Sequence, residues 1–226
     1  MRKKIELLLI LLVLTGLIIC SRHLTKYVLT DKVETKKNTV VIDAGHGGSD
    51  PGKVGVNDAL EKDINLEIAR KVKKLLEKKG IHVIMTRKED KALGDGQRGS
   101  QKVQDMRERV KLINKNKPEL AVSIHQNSFH QADVHGAQVF YFKHSAEGEK
   151  YAGIMQEVLR TVDQGNTKQP KADDTYYLLK KTEIPIIIIE CGFLSNPEEA
   201  EKLTTKEYQK EMAQAIADGI TACLKE

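Results

Sequence analysis

Four side chains in this sequence have the types needed to share one reaction: His46, Glu61, His125 and Glu190. Two imidazoles and one carboxylate are the donors of a tetrahedral zinc site whose fourth position stays open to water, the usual hydrolytic design. The remaining carboxylate, Glu190, then serves as general base, a role that typically contributes ~10²–10⁴ in rate. Zinc lowers the pKa of a bound water to about 7, and the combination suits hydrolysis of an amide. Each residue also has a plain structural reading. A histidine at a strand end is more often a hydrogen-bonded structural residue, and a glutamate opening a helix complements the positive end of its dipole. Glu190 is harder to dismiss, because an ionised carboxylate beside a buried strand is costly unless a charge or a metal meets it. The other histidines, at 23, 82, 130, 135 and 144, lack this setting. His82 stands early in a strand, at the opposite edge, and His130 and His135 are second choices.

The chemistry requires elements that bring the four residues to one edge. Thr39 to Asp43 is an apolar strand running into the turn Gly45-His46-Gly47-Gly48. Glycine there permits positive φ and leaves room beside the imidazole, so that a bulky substrate can approach. A loop from His46 to Leu60 leads to a helix opened by Glu61, with Ile64, Ile68, Val72, Leu75 and Leu76 at helical spacing and Gly80 as its stop. Ile81 to Thr86 is a second strand, residues 88–102 a charged, Gly-rich loop, and Met106, Val110 and Ile113 mark a second helix. Leu120 to Ile124 is a third strand ending at His125, and Ala137 to Phe142 a fourth. Ile154, Val158 and Leu159 mark a third helix, residues 163–175 read as an exposed loop, and Tyr176 to Leu179 as a short strand. Ile184 to Ile189 is apolar throughout but for Pro185, as a strand buried on both faces requires, and ends at Glu190. A last helix spans roughly 206–224. Strands alternating with helices predict a three-layer α/β/α fold, with a mainly parallel, roughly six-stranded twisted sheet and helices on both faces. In such a sheet the residues beyond the strands share the carboxyl edge, where open α/β folds build their sites.

Composition bounds the function. The chain has 226 residues, a net charge of +5 and 31 % charged residues, and its lysines are spread along helices. That is a solvated basic surface and no nucleic-acid footprint. Trp is absent and aromatics make up 4 %, which weighs against an aromatic platform for carbohydrate. Three cysteines, at 20, 191 and 223, suggest neither a disulfide framework nor a Cys-rich zinc site, and Cys191 reads as a buried free thiol. Residues 1–20 carry a basic start and a short apolar run, an export signal or membrane anchor, with uncleaved anchoring favoured because no small-residue cleavage pattern follows. The charge distribution sends the rest of the chain outside the cytoplasm. Residues 21–38 are a polar, Lys-rich linker, and 39–226 form one domain.

Several segments together resemble the zinc-dependent N-acetylmuramoyl-L-alanine amidases whose catalytic domain occurs in autolysins. They are Ile42-Asp43-Ala44-Gly45-His46-Gly47-Gly48, Glu61-Lys62-Asp63, Met85-Thr86-Arg87, Arg109 with Asn114, Ser123-Ile124-His125-Gln126-Asn127, and Glu190 to Asn196. The resemblance covers about residues 39–224 and implies zinc held by His46, Glu61 and His125, with Glu190 the catalytic carboxylate. It implies cleavage of the amide between the lactyl group of muramic acid and the L-alanine of the stem peptide. Asn127 and Asn196 read as structural or substrate-orienting. The loop Leu93–Gln101, the run Lys102–Lys111 and the short anchored layout further resemble the sporulation amidases of endospore formers. Those strip peptides from cortex muramic acid so that a deacetylase can form the muramic δ-lactam recognised at germination. That layout implies an enzyme held at the outer face of the cytoplasmic membrane, in the space between mother cell and forespore. Three protein ligands, one of them at the end of a long loop, allow zinc loading to depend on an activating protein partner. The competing readings are a zinc peptidase of related fold and a catalytically silent wall-binding regulator.

Overall fold

The computed structural model describes residues 6, 10–18, 35–94 and 100–226. The chain divides into two units, Met1–Glu34 and Thr35–Glu226. In the first, residues 10–18 are helical. No helix among the described residues is long and apolar enough to cross a membrane. Most of the expected anchor and linker, and the centre of the Leu93–Gln101 loop, lie outside the described residues.

The second unit carries strands β1 (Lys36–Ala44), β2 (His82–Met85), β3 (Pro118–Asn127), β4 (Gln138–Phe142), β5 (Lys171–Asp173) and β6 (Ile186–Phe193). Its helices are α1 (Glu61–Lys78), α2 (Gln101–Asn116), α3 (Ala146–Leu159), α4 (Tyr177–Lys181), α5 (Pro197–Thr204) and α6 (Lys206–Cys223). The sheet order is β2-β1-β3-β6-β4-β5. The first four strands run parallel, while β4 is antiparallel to β6 and carries β5 parallel to itself. This is the expected six-stranded α/β/α architecture.

Period two along the strands sorts the side chains between the faces. Val40, Ile42, Leu120, Val122, Ile187 and Ile189 enter one hydrophobic core with residues of α1, α3 and α6, such as Ile68, Met155 and Ile216. The alternate residues, among them Asp43, Ser123, His125, Ile188 and Glu190, therefore take the other face. There α2 packs on β1 and β3, and α4 on β4 and β6.

Three expectations need correction. Tyr176–Leu179 is no strand: Tyr176 is the N-cap of the short helix α4. The fifth strand lies instead at Lys171–Asp173, inside the expected loop. Three residues cannot display a period of two, and this edge strand forms only because β4 offers it a partner. β1 begins at Lys36, inside the expected linker, where Lys36 to Asn38 are exposed and give no apolar signal. Helix α5 adds to the expected elements, and its start is marked in the sequence. Asn196 Oδ1 accepts from the amides of Glu198 and Glu199, and Pro197 follows at the first helical position. Asn196 is thus structural.

Candidate metal centre

β1 ends at Ala44, and the chain turns through His46, Gly47 and Gly48, all at positive φ (61°, 133° and 61°). A non-glycine residue in that region costs on the order of 1–3 kcal/mol and persists where its surroundings over-determine it. Two buried guanidiniums do so here. Arg109 donates to the carbonyls of Ala44 (2.8 Å) and His46 (2.6 Å). Arg87 donates to those of Ala44 (2.9 Å) and Gly45 (3.0 Å). Three successive carbonyls are clamped, and the turn has no freedom to relax. Arg109 is itself anchored on Asp43 (2.5 Å) and Asp105 (2.6 Å). Asp43 also accepts from Thr86 (2.7 Å) and Ser123 (2.5 Å). Burial pushes the Asp43 carboxyl up, but Arg109, the Ser123 hydroxyl, His125 and Thr86 outweigh it and leave it at about 2.

The glycines make room for protein rather than for substrate. A Cβ on Gly45 would stand 2.2 Å from Cε1 of the His125 ring, and one on Gly47 would stand 2.7 Å from the Lys91 carbonyl. Both are clashes that real side chains do not show. Gly45 therefore lets the two imidazoles approach, and they sit edge to face at 5.0 Å.

His46 Nδ1 meets Asp50 Oδ2 at 2.9 Å, which leaves Nε2 facing Glu61 Oε1 at 3.2 Å. His125 Nδ1 meets the same oxygen at 2.9 Å. Ligand atoms of His46, Glu61 and His125 all lie within 4.8 Å of one another, and both imidazoles stay partly open to the cleft. Two imidazole nitrogens aimed at one carboxylate oxygen, with a solvent side left free, fit the donor set of a hydrolytic zinc ion. Glu61 is held hard. Its Oε2 accepts from the Lys53 amide (2.7 Å), and its Oε1 from the Gln126 amide (3.1 Å) and Asn65 Nδ2 (3.4 Å). Burial pushes its carboxyl up, but the bonds to His125 and His46 and their charges hold it well below the usual carboxylate range. Burial pulls the His125 imidazole down, and Glu61 more than reverses this.

Glu190 stands beside His125 in the β3–β6 register, within its strand rather than beyond it. It lines the same cleft, of about 490 Å³, with His46, Glu61, His125, Lys102 and Tyr177. The Tyr176 hydroxyl donates to its Oε1 at 3.4 Å, and its buried Oε2 has no partner among the described residues. Burial raises its carboxyl, His125 opposes this, the Glu61 charge adds to it, and the balance lies at about 7.

The structure thus brings all four expected residues to one cleft. His82 is exposed at the far end of β2, and His130 and His135 are exposed and outside the cluster. Asn127 lines the cleft while its side chain accepts from the next amide. Cys191 is a buried free thiol, as expected. Three further residues support the cluster: Asp50, Asn65 and Tyr176. Asp50 and Asn65 each stand four residues after a member of the cluster, a spacing that pairs side chains on a helix and marks Asn65 beside Glu61. Tyr176 has no such signal.

The model of the N-acetylmuramoyl-L-alanine amidase family matches residues 40–222. The germination-specific N-acetylmuramoyl-L-alanine amidase of Bacillus subtilis is 42 % identical over 184 residues, 80 % of this chain and 77 % of that protein. The solved structure of the CwlD amidase from Clostridioides difficile, in complex with the GerS lipoprotein, superimposes with a TM-score of 0.80 at 39 % identity. It covers 83 % of this chain and 98 % of that one. The catalytic domain of the amidase CwlV from Bacillus (Paenibacillus) polymyxa gives 0.73 at 32 % identity, covering 84 % and 99 %. The chain therefore belongs to the N-acetylmuramoyl-L-alanine amidases, hydrolases of peptidoglycan.

Proposed function

We propose that the chain hydrolyses the muramoyl–L-alanine amide by a zinc-dependent route, with His46, Glu61 and His125 holding the ion and Glu190 as general base. One observation carries this reading. Donor atoms of His46, Glu61 and His125 lie within 4.8 Å of one another, and the buried Glu190 carboxylate lines the same cleft. A zinc ion held there supplies Lewis acidity toward the scissile carbonyl and toward water. Glu190 accepts the proton of the attacking water and delivers it to the departing amine of L-alanine as the C–N bond breaks. A carboxyl raised toward neutrality suits both transfers. Asp50 fixes the ring of His46, and Asn65 and the Gln126 amide orient Glu61, so the donor set is preformed.

The relatives support a role in the cell. The likeness to a germination-specific amidase supports action on spore cortex, as the step that bares muramic acid for δ-lactam formation. Residues 1–20 anchor the enzyme at the outer face of the cytoplasmic membrane, between mother cell and forespore, with the following polar residues as a linker. The CwlD relative is solved with a lipoprotein, which supports an activating protein partner for this chain too.

Mass spectrometry of peptidoglycan digested by the purified chain with zinc tests the reaction. The expected products are peptides beginning with L-alanine and glycan carrying free lactyl carboxylates. Cleavage within the stem peptide instead would overturn it. Zinc content and activity measured with and without extract of sporulating cells test the partner, and equal values in both would remove it.

A further inference from the structure

Glu190 has a single hydrogen-bond partner among the described residues. The Tyr176 hydroxyl reaches its Oε1 at 3.4 Å, and nothing meets Oε2, which is fully buried. A carboxylate bonded on neither oxygen turns about its last side-chain bond and presents either one. A carboxylate bonded on one oxygen is held in one orientation.

Tyr176 is built to stay where it is. Its ring packs edge to face on Phe140 at 5.5 Å, and Phe140 pairs with Ile188, two residues before Glu190 on the neighbouring strand. Its amide donates to Asp173 Oδ1 at 2.9 Å, and its carbonyl accepts from the Lys180 amide at 3.1 Å. Edge strand β5 and helix α4 thus hold the residue from both sides. Burial, then the charges of Glu190 and Asp173, push its hydroxyl well above the ordinary range, so it stays a donor.

We propose that Tyr176 is a positioning residue for hydrolysis: its hydroxyl holds Oε1 of Glu190 and fixes the orientation in which the carboxylate borders the cleft. This deepens the general-base reading of Glu190 and rests on it. No step of the reaction passes through the tyrosine. It acts by restricting the base to one orientation, a contribution to the rate of the bound complex and not to substrate affinity.

The test compares Tyr176→Phe and Glu190→Gln with the unaltered full chain, each loaded with zinc and assayed on a defined muropeptide. Phenylalanine keeps the ring against Phe140 and removes only the hydroxyl. The expected result for Tyr176→Phe is a roughly tenfold fall in kcat, the scale of one lost hydrogen bond to a charged group, with KM, zinc content and melting temperature unchanged. An unchanged kcat in Tyr176→Phe beside an inactive Glu190→Gln overturns the role of Tyr176 and leaves the general base standing. A fall in kcat accompanied by lost zinc or a lowered melting temperature assigns Tyr176 to the fold instead, and a raised KM at constant kcat assigns it to binding. Full activity in Glu190→Gln removes the general base, and the role of Tyr176 with it.

Discussion

Glu61 and Glu190 line the same cleft and are both buried, but they are held in opposite ways. Glu61 receives two backbone amides, an asparagine and two imidazoles, and its carboxyl is driven well below the ordinary range. Among the described residues Glu190 receives one phenol, and burial drives its carboxyl up to about 7. A carboxylate that is permanently ionised and fixed on both oxygens suits a metal ligand. One that is poised near neutrality and held by a single phenol suits proton transfer. The surroundings divide the two roles, and the residue type does not.

Breaking each carboxylate in turn tests that division. The largest effect is expected from Glu190→Gln. It should lower kcat by roughly 10²–10⁴-fold while zinc content, read by metal analysis, stays intact. Retained activity would abolish the distinction. Glu61→Ala should do the reverse and release zinc, weakening retention by more than the roughly 10–100-fold expected for an outer partner. Undiminished zinc in that variant would remove Glu61 from the ligand set. Asp50→Ala and Asn65→Ala reach the ligands at second hand and should each weaken zinc binding by about 10–100-fold in a chelator competition. Values equal to the parent would show that the donor set does not need them.

Asp43 offers the mildest test, because it resembles Glu61 in being fully satisfied but stands outside the His46, Glu61 and His125 cluster. Its carboxyl lies at about 2 in the fold, against roughly 3.9 in an unfolded chain. A depressed carboxyl contributes stability that is present above the unfolded value and lost as pH falls through the folded one. The chain should therefore lose on the order of 2 kcal/mol from this group between about pH 4 and pH 2. Denaturant midpoints measured across that window should fall less steeply in Asp43→Asn, and an equal slope would show that Asp43 is not held by Arg109.

Some of this was legible before any coordinates. Apolar runs ending in a chemically distinctive residue mark β1, β3 and β6, and alternation with amphipathic stretches predicts the α/β sheet. His125 and Glu190 are readable because each closes a hydrophobic run, where a charge or imidazole needs a reason. The turn at His46 is legible as a turn, but its glycines, which the sequence suggests as clearance for substrate, clear the way for the His125 ring and the Lys91 carbonyl. Edge strand β5 and helix α4 were misread because a three-residue strand and a one-turn helix carry too few residues to display a period.

The sequence by itself determined the strand order of chemistry along the chain: a histidine after the first buried strand, a second at the end of the third, and a glutamate closing the isoleucine run. These are local facts, written in the alternation and endings of single elements. Only the tertiary structure decided how Glu61 reaches them. It opens α1, a helix that packs on the opposite face of the sheet, and arrives over the carboxyl edge to meet both imidazoles. Only the structure decided, too, that Arg87 and Arg109 from two separate elements close on three successive carbonyls, and that Tyr176 stands over Glu190. Each of these joins residues far apart in the chain across packed layers. Their meeting depends on how the helices seat on the sheet, which no local period encodes.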